Sequence, residues 1–185
     1  MKARATLPRH EWRSVEQRLP FALARAWIAI LLIAACGDQP KTVQPQEITR
    51  ETVCALDGML LMDYPGPKGQ IHYDQGPPGF FCDTVEMVAS YLRPEQQKRV
   101  IAVFTQDMGK AHWSEPRGEW IDAKTGFYVF GSSQHGSMGP TLASFAREED
   151  AHAFAKQYGG KVLRFGELTL DMVALDGGVL RDERM

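Results

Sequence analysis

The sequence predicts an α+β domain built from two ββαβ units in tandem. Short runs rich in aromatic and β-branched residues are separated by Gly and Pro, which is typical of strands joined by turns. Two patterns with helical spacing each follow a pair of such strands, and a further strand follows each helix. The chain has 185 residues, of which 44% are hydrophobic and 24% charged. This composition indicates an ordinary globular domain and excludes a disordered chain, a collagen or a disulfide-dense scaffold.

The first unit is predicted over residues 53–105. Its helix is capped by Asp83 or Thr84, carries Glu86 as an acidic residue of the first turn, and ends before Pro94. The strands before and after this helix are predicted at residues 70–73, 80–82 and 99–105.

The second unit, predicted over residues 123–167, has the same order. Its helix, residues 147–158, begins with three acidic side chains that suit the helix dipole and ends at a pair of glycines. Residues 106–122 join the two units, and residues 132–140 form a loop within the second. The strands of this unit are predicted at residues 126–131, 141–145 and 161–165.

The first 35 residues have the features of a secretory signal: basic residues, an apolar core and then small residues before Cys36. The uninterrupted apolar run at 26–35 has ten residues, too few to span the ~30 Å core of a bilayer. The segment LIAAC at 32–36 resembles the bacterial lipobox, whose cysteine is acylated and becomes the first mature residue. The alternatives are an ordinary signal peptide with an incidental cysteine, or a short buried helix.

The residues after the lipobox predict a tether. Residues 36–52, which begin with the lipidated Cys36, are mostly polar and contain two prolines, as expected of a flexible linker. The residue after the cysteine is Gly37 rather than Asp, which by resemblance to Gram-negative lipoprotein sorting favours the outer membrane. We therefore expect a lipid-anchored, periplasm-facing protein, with residues 174–185 as a C-terminal tail.

The net charge depends on whether the leader is counted. The whole chain carries a formal charge of −2, but residues 1–35 contain six basic and two acidic residues. Removing them leaves a mature chain of about −6. An acidic chain gives no electrostatic reason to expect nucleic-acid binding, and it weakly favours the binding or transport of cations.

Sulfur side chains in turns are the strongest candidates for a functional site. The sequence contains no nucleophile elbow, phosphate loop, paired-histidine zinc motif or nucleotide fingerprint, so we expect neither catalysis nor a small-molecule substrate. Met108 and Met138 precede glycines in polar loops, where core packing explains a methionine poorly. Thioethers and thiolates are soft donors that select Cu(I), and imidazole is compatible with it. The candidate ligands are Met59, Cys54, Met138, Met108, His135 and Cys82.

Several of these candidates also have a simpler explanation. Cys54 and Cys82 could form a disulfide, because secreted proteins occupy an oxidising compartment. Met59 precedes an apolar run and could belong to the core, while His135 could be a solvated loop residue.

Seven short motifs in order resemble the NosL family, over roughly residues 52–173. The resemblance implies a lipid-anchored accessory protein of nitrous oxide reductase that acts as a Cu(I) chaperone for the enzyme's copper-sulfide centre. It also implies a fold of two ββαβ units, related to that of organomercurial lyase. The motifs are CALDGM at 54–59, DYPGPKGQIH at 63–72, FFC at 80–82, QDMG at 106–109, WIDA at 120–123, GSMGPTLASF at 136–145 and YGGKVLRF at 158–165.

The resemblance transfers to the ligands unevenly. Many relatives have Cys-Gly-Met at the start of the domain, where the cysteine and methionine are thought to help hold copper. This chain has Asp57, Gly58 and Met59 there, so Cys54 can take part only if the intervening residues fold back as a turn. Met138 and Met108 match family motifs, and their role as ligands is inferred from their chemistry.

These observations favour a Cu(I) carrier whose partner is apo nitrous oxide reductase, with the other maturation factors of that enzyme as further candidates. The first alternative is a structural or docking lipoprotein with a Cys54–Cys82 disulfide. The second is an enzyme of lyase-like fold, which is disfavoured because neither cysteine is accompanied by a positioned base.

Overall fold

The computed structural model describes residues 42–93, 95 and 98–174. The predicted signal peptide, the lipidated Cys36, the first part of the linker as far as residue 41 and nearly all of the predicted tail lie outside the described residues. Within this part of the chain, no helix has the length and apolarity needed to cross a bilayer.

The first sheet contains four antiparallel strands in the order β2-β1-β3-β4. Helix α1, Thr84–Leu92, connects β2 to β3 and packs against β1. Because a neighbouring strand lies on each side of β1 and a helix covers one face, β1 is buried over almost its whole length. The strands are β1 (Gly69–Tyr73), β2 (Gly79–Phe81), β3 (Val100–Gln106) and β4 (Trp120–Asp122).

The second sheet contains three antiparallel strands in the order β8-β5-β9. Between β5 and β8 the chain forms a short hairpin, and helix α2, Glu148–Tyr158, connects β8 to β9. The strands are β5 (Phe127–Phe130), β6 (His135–Gly136), β7 (Gly139–Pro140), β8 (Ala143–Phe145) and β9 (Lys161–Arg164), of which β6 and β7 form the hairpin.

The two sheets share one topology, in which the first strand of the unit lies between the other two. The α+β class predicted from the sequence is confirmed, and each predicted pair of strands is followed by a helix and a third strand. One core cluster includes Ile71 and Met87 of the first unit together with Tyr128 and Leu163 of the second. The units therefore pack around common apolar contacts.

Several details differ from the sequence predictions. Strand β2 ends at Phe81, so Cys82, predicted as the last residue of this strand, lies just after it. The strand β4 and the β6–β7 hairpin lie in segments that were expected to be a connection and a loop. Strand β8 begins two residues later than expected, because Thr141 and Leu142 bond instead to the start of α1. Phe165, expected to end the last strand, begins a 3-10 helix.

Part of the predicted linker is held against the first sheet. The backbone N–H of Gln46 donates to the side-chain oxygen of Gln70, and the Gln70 amide donates back to the Gln46 carbonyl. Gln70 is fully buried in β1, so these two bonds fix the chain at residue 46. The ordered region thus begins before residue 53, the start that the sequence predicted.

Strand β1 and helix α1 approach each other most closely at Gly69. A Cβ atom at this position would lie 2.6 Å from the Met87 Cβ, well inside van der Waals contact. Since Met87 is itself fully buried, it has no free space into which to move.

Gly69→Ala should therefore lower the free energy of unfolding by ~1–3 kcal/mol, the usual cost of overpacking a core. Chemical denaturation of the purified protein measures this change. Gly166→Ala is the matched control, because a Cβ at Gly166 meets no atom within 4 Å. Equal stability of the two variants would contradict the close packing of α1 on β1.

Candidate metal centre

The loop that follows Cys54 folds back on itself and brings Cys54 beside Met59. The Cys54 N–H donates to the Met59 carbonyl at 2.8 Å, and the Gly58 N–H donates to the Cys54 carbonyl at 3.0 Å. Gly58 has a φ of +75°, a conformation that glycine adopts at little cost. The Asp57 side chain accepts from the Met59 N–H at 3.0 Å and so braces the turn. This is the turn that a role for Cys54 requires.

Cys82 lies at the junction of β2 and α1, one residue after the strand ends. The Ala55 N–H donates to the Phe80 carbonyl at 2.7 Å, which ties the Cys54 loop to this strand. Asp83 caps α1 by accepting from the Val85 N–H at 2.9 Å. Because the helix starts two residues after Cys82, Glu86 of its first turn lies within hydrogen-bond distance of the Cys82 thiol.

The two thiols converge on one carboxylate oxygen. Oε2 of Glu86 accepts from Cys54 Sγ at 3.3 Å and from Cys82 Sγ at 3.1 Å. Cys54, Asp57, Cys82 and Glu86 each offer one ligand atom, and these four atoms all lie within 4.8 Å of one another. The first, third and fourth of these residues are buried, whereas Asp57 is exposed. Both cysteines are free thiols in the structure.

The pKa values of the two thiols are shifted in opposite directions. A hydrogen bond from the neighbouring Cys82 thiol lowers the pKa of Cys54, although burial opposes the effect. The same interaction, together with burial, raises the pKa of Cys82. Cys54 is therefore the first of the pair to become a thiolate, the form that binds metals.

A buried cation lies next to the cluster. Lys68 is fully buried, and its ammonium donates to the Pro65 carbonyl at 2.8 Å and to the Cys82 carbonyl at 3.0 Å. Burial lowers the pKa of Lys68 to about 8. Burial also raises the pKa of Asp83 to about 6, although the side chain accepts from Thr141.

Two of the predicted methionines, Met59 and Met138, lie in segments that contact the cysteines. Met59 packs against the apolar cluster that contains Cys54 and Cys82. The hairpin formed by β6 and β7 contacts the same place, because the Ser137 hydroxyl donates to the Cys82 carbonyl at 2.7 Å. Met138, the next residue, is 55% exposed at the tip of this hairpin.

The other two predicted ligands lie elsewhere. Met108 packs in a separate cluster with Phe145, and its N–H donates to the Ser144 carbonyl. Met108 is thus partly buried against the core of the second unit. His135 is exposed in β6 and does not belong to the converging set.

Three residues of the site are absent from the ligand set predicted from the sequence. Glu86 is predicted only as a first-turn helix residue, and its contact with both thiols depends on the loop that brings Cys54 beside Cys82. Asp57 was considered only as the residue that stands where relatives have cysteine. Lys68 was not singled out, because a lone lysine gives no sequence signal of burial.

The NosL family model matches residues 45–173. This chain belongs to the NosL family. Over 148 residues it is 39% identical to the copper-binding lipoprotein NosL of Stutzerimonas stutzeri, covering 76% of this chain and 77% of that protein. Over 162 residues it is 38% identical to the copper-binding lipoprotein NosL of Achromobacter cycloclastes, covering 84% and 83%.

The fold agrees with that of a solved NosL structure. The crystal structure of the copper chaperone NosL from Shewanella denitrificans superposes with a TM-score of 0.66 at 38% sequence identity. The match covers 72% of this chain and 99% of the other. The Shewanella protein and this chain thus share the NosL fold as well as sequence.

The unequal pKa values of the two thiols lead to a test on the metal-free protein. Under anaerobic conditions near neutral pH, iodoacetamide should modify Cys54 roughly fivefold faster than Cys82, because the thiolate is the reactive form. Peptide mass spectrometry gives both rates, and denatured protein, in which the rates should be similar, is the control. Faster modification of Cys82 would contradict the assignment, and no reactive thiol at either position would favour the disulfide alternative.

Proposed function

We propose that this chain is a lipid-anchored Cu(I) chaperone that delivers copper to apo nitrous oxide reductase for its copper-sulfide centre. The observation that carries the proposal is the convergence of two free, buried thiols beside Met59. The relatives support it, because they are named as copper-binding lipoproteins and a copper chaperone, which are not enzymatic roles.

The proposed ligands are the two cysteine sulfurs and the Met59 thioether. Two thiolates and a thioether form a soft donor set that favours Cu(I) over harder cations. Met138 is a fourth candidate, because its hairpin is bonded to Cys82 and its side chain is largely exposed. Met108 and His135 are left out of the set, since neither joins the cluster in the structure.

Copper delivery requires ligand exchange without any covalent catalysis. A site that held copper in a closed tetrahedral cage would resist transfer, whereas a low-coordinate site leaves a position for an incoming ligand. The Cys54 loop offers such access, because Leu56 is 45% and Leu60 39% exposed beside the buried thiols. A ligand from the receiving protein approaches from this side, and the chaperone sulfurs leave one at a time.

The lipid anchor is part of the proposal. Acylation at Cys36, after removal of residues 1–35, would hold the folded domain at the periplasmic face of the membrane, with the outer membrane favoured. Residues 36–52 would provide the tether, which is shortened by the contact between Gln46 and Gln70. Residues 53–173 would form the NosL-like domain, and residues 174–185 would follow it as a short tail. Other maturation factors of the reductase are further candidate partners.

Substitutions of single sulfur residues test which of them bind copper. In an anaerobic Cu(I) competition titration against a chromophoric chelator, the purified protein should withdraw one equivalent of copper. Cys54→Ala and Cys82→Ala should each weaken binding by more than the roughly 10–100-fold that loss of an outer-shell partner costs. Met59→Leu should weaken it about tenfold.

Met108→Leu is the matched control, because it also removes a thioether but from the separate cluster. Its affinity should equal that of the unaltered protein. An unchanged chelator signal with the unaltered protein would overturn the chaperone proposal, and equal affinity of Met59→Leu would remove Met59 from the ligand set.

X-ray absorption of the copper-loaded protein should show a first shell of sulfur without histidine nitrogen. The physical reason is that every proposed ligand is a thiolate or thioether, while His135 lies outside the cluster. The spectrum of His135→Ala should match that of the unaltered protein. An imidazole contribution that disappears in this variant would return His135 to the ligand set.

A further inference from the structure

Lys68 is a buried cation at a site proposed to bind a cation, so ligation of copper does not explain its presence. It supplies no ligand atom, because an ammonium has three donors and no acceptor. Lysine is almost never fully buried unless its charge is paired, yet Lys68 has no exposed surface. Its ammonium is directed at the Cys82 carbonyl, 3.0 Å away.

The backbone around Lys68 holds the side chain in this position. The Lys68 N–H donates to the Gln106 side chain at 3.0 Å, and its carbonyl accepts from the Thr105 hydroxyl at 3.1 Å. Both of these bonds join the residue to the end of β3. The side chain is therefore part of the folded framework, and its charge has a fixed position relative to the thiols.

The surroundings of the ammonium are anionic. Asp83, Glu86 and the two cysteines act on its charge favourably, while burial opposes it. Asp83 accepts two hydrogen bonds on Oδ1, from Val85 and Thr141. Its other oxygen, Oδ2, is buried without a hydrogen-bond partner among the described residues, so the nearby charge of Lys68 contributes to its stabilisation. A fixed positive charge within this cluster therefore changes the energy of any cation that enters it.

We propose that Lys68 is a specificity-determining residue that biases the thiol site toward monovalent Cu(I) and against divalent cations such as Zn²⁺. This inference rests on the proposed function, because it concerns which metal the same ligands accept.

The need for such discrimination follows from the ligand set. Two cysteines with two nearby carboxylates are also a suitable set of donors for tetrahedral Zn²⁺, which takes sulfur and oxygen ligands. Coulomb repulsion is proportional to the charge of the incoming ion, so Lys68 opposes a divalent cation twice as strongly as a monovalent one. The buried ammonium thereby favours the monovalent cargo without touching it.

The relevant quantity is the ratio of the two affinities. Loss of the ammonium also makes the thiols harder to deprotonate, which weakens the binding of both metals. When Zn²⁺ and Cu(I) displace the same thiol protons, that effect cancels in the ratio of their association constants. The remaining change is the electrostatic term that distinguishes the two charges.

Competition titrations with Zn²⁺ and anaerobic Cu(I) at pH 7 test the inference on the purified protein. Lys68→Met, which keeps the length and removes the charge, should raise the Zn²⁺/Cu(I) affinity ratio by roughly tenfold or more. Lys68→Arg, which keeps the charge, should restore the ratio toward that of the unaltered protein. An unchanged ratio in a folded Lys68→Met variant would overturn the inference.

A second variant provides the test if Lys68→Met does not fold. Lys68→Gln, a second neutral variant, removes the same charge and keeps a polar side chain, so it should raise the ratio by a similar factor. An unchanged ratio in a folded Lys68→Gln variant would then overturn the inference. Failure of the unaltered protein to bind Cu(I) would instead overturn the proposed function, which keeps the two failures distinct.

Discussion

The carbonyl oxygen of Cys82 is the point at which the segments of the site are joined. It accepts from the Lys68 ammonium at 3.0 Å and from the Ser137 hydroxyl at 2.7 Å. The first donor precedes β1, the second belongs to the β6–β7 hairpin of the other unit, and the acceptor itself lies between β2 and α1. Both units of the fold thus meet at the residue that carries one of the two thiols.

The energetic character of the site follows from this burial. Removing Glu86, Asp83 and Lys68 from water is unfavourable unless each charge is compensated nearby. Glu86 is compensated by two thiol donors, and Asp83 by Thr141, the helix terminus and the field of Lys68. A cation that replaces the thiol protons would enter a site in which folding has already brought the anionic groups together. The fold thereby gathers the anionic groups that the proposed metal site requires.

The sequence was informative where a pattern depends on local structure. The capping residue Asp83, the stop before Pro94 and the alternation of strands with helices are local signals, and they predicted the order of both units. Strand β4 and the β6–β7 hairpin were missed because they have only two or three residues each, and pairing with other parts of the chain defines them. Cys54, Cys82 and Met59 were recognised by their chemistry, but Lys68 became visible only through its tertiary contacts.

The methionines show why residue type and turn context do not by themselves identify a ligand. Met59 and Met108 both lie in turns beside glycine, yet one packs against the cysteines and the other against Phe145. The difference arises from which strand each turn joins, a property of the whole topology. Met59 is held by the loop that bonds to β2, whereas Met108 follows β3 and bonds to β8.

The site combines one rigid side with one exposed side, which suits the proposed binding and transfer of copper. Cys82 and Glu86 are fixed by β2, α1 and the buried lysine, whereas Met138 is carried by a surface hairpin and Asp57 by an exposed loop. Side chains on the exposed side can move without disturbing the core, because their backbone is not part of either sheet's interior. In the proposed transfer, exchange would therefore begin on this side, and the Cys82 thiolate would be the last sulfur to leave. A rigid sulfur of this kind would retain the ion until the receiving protein has supplied its own ligands.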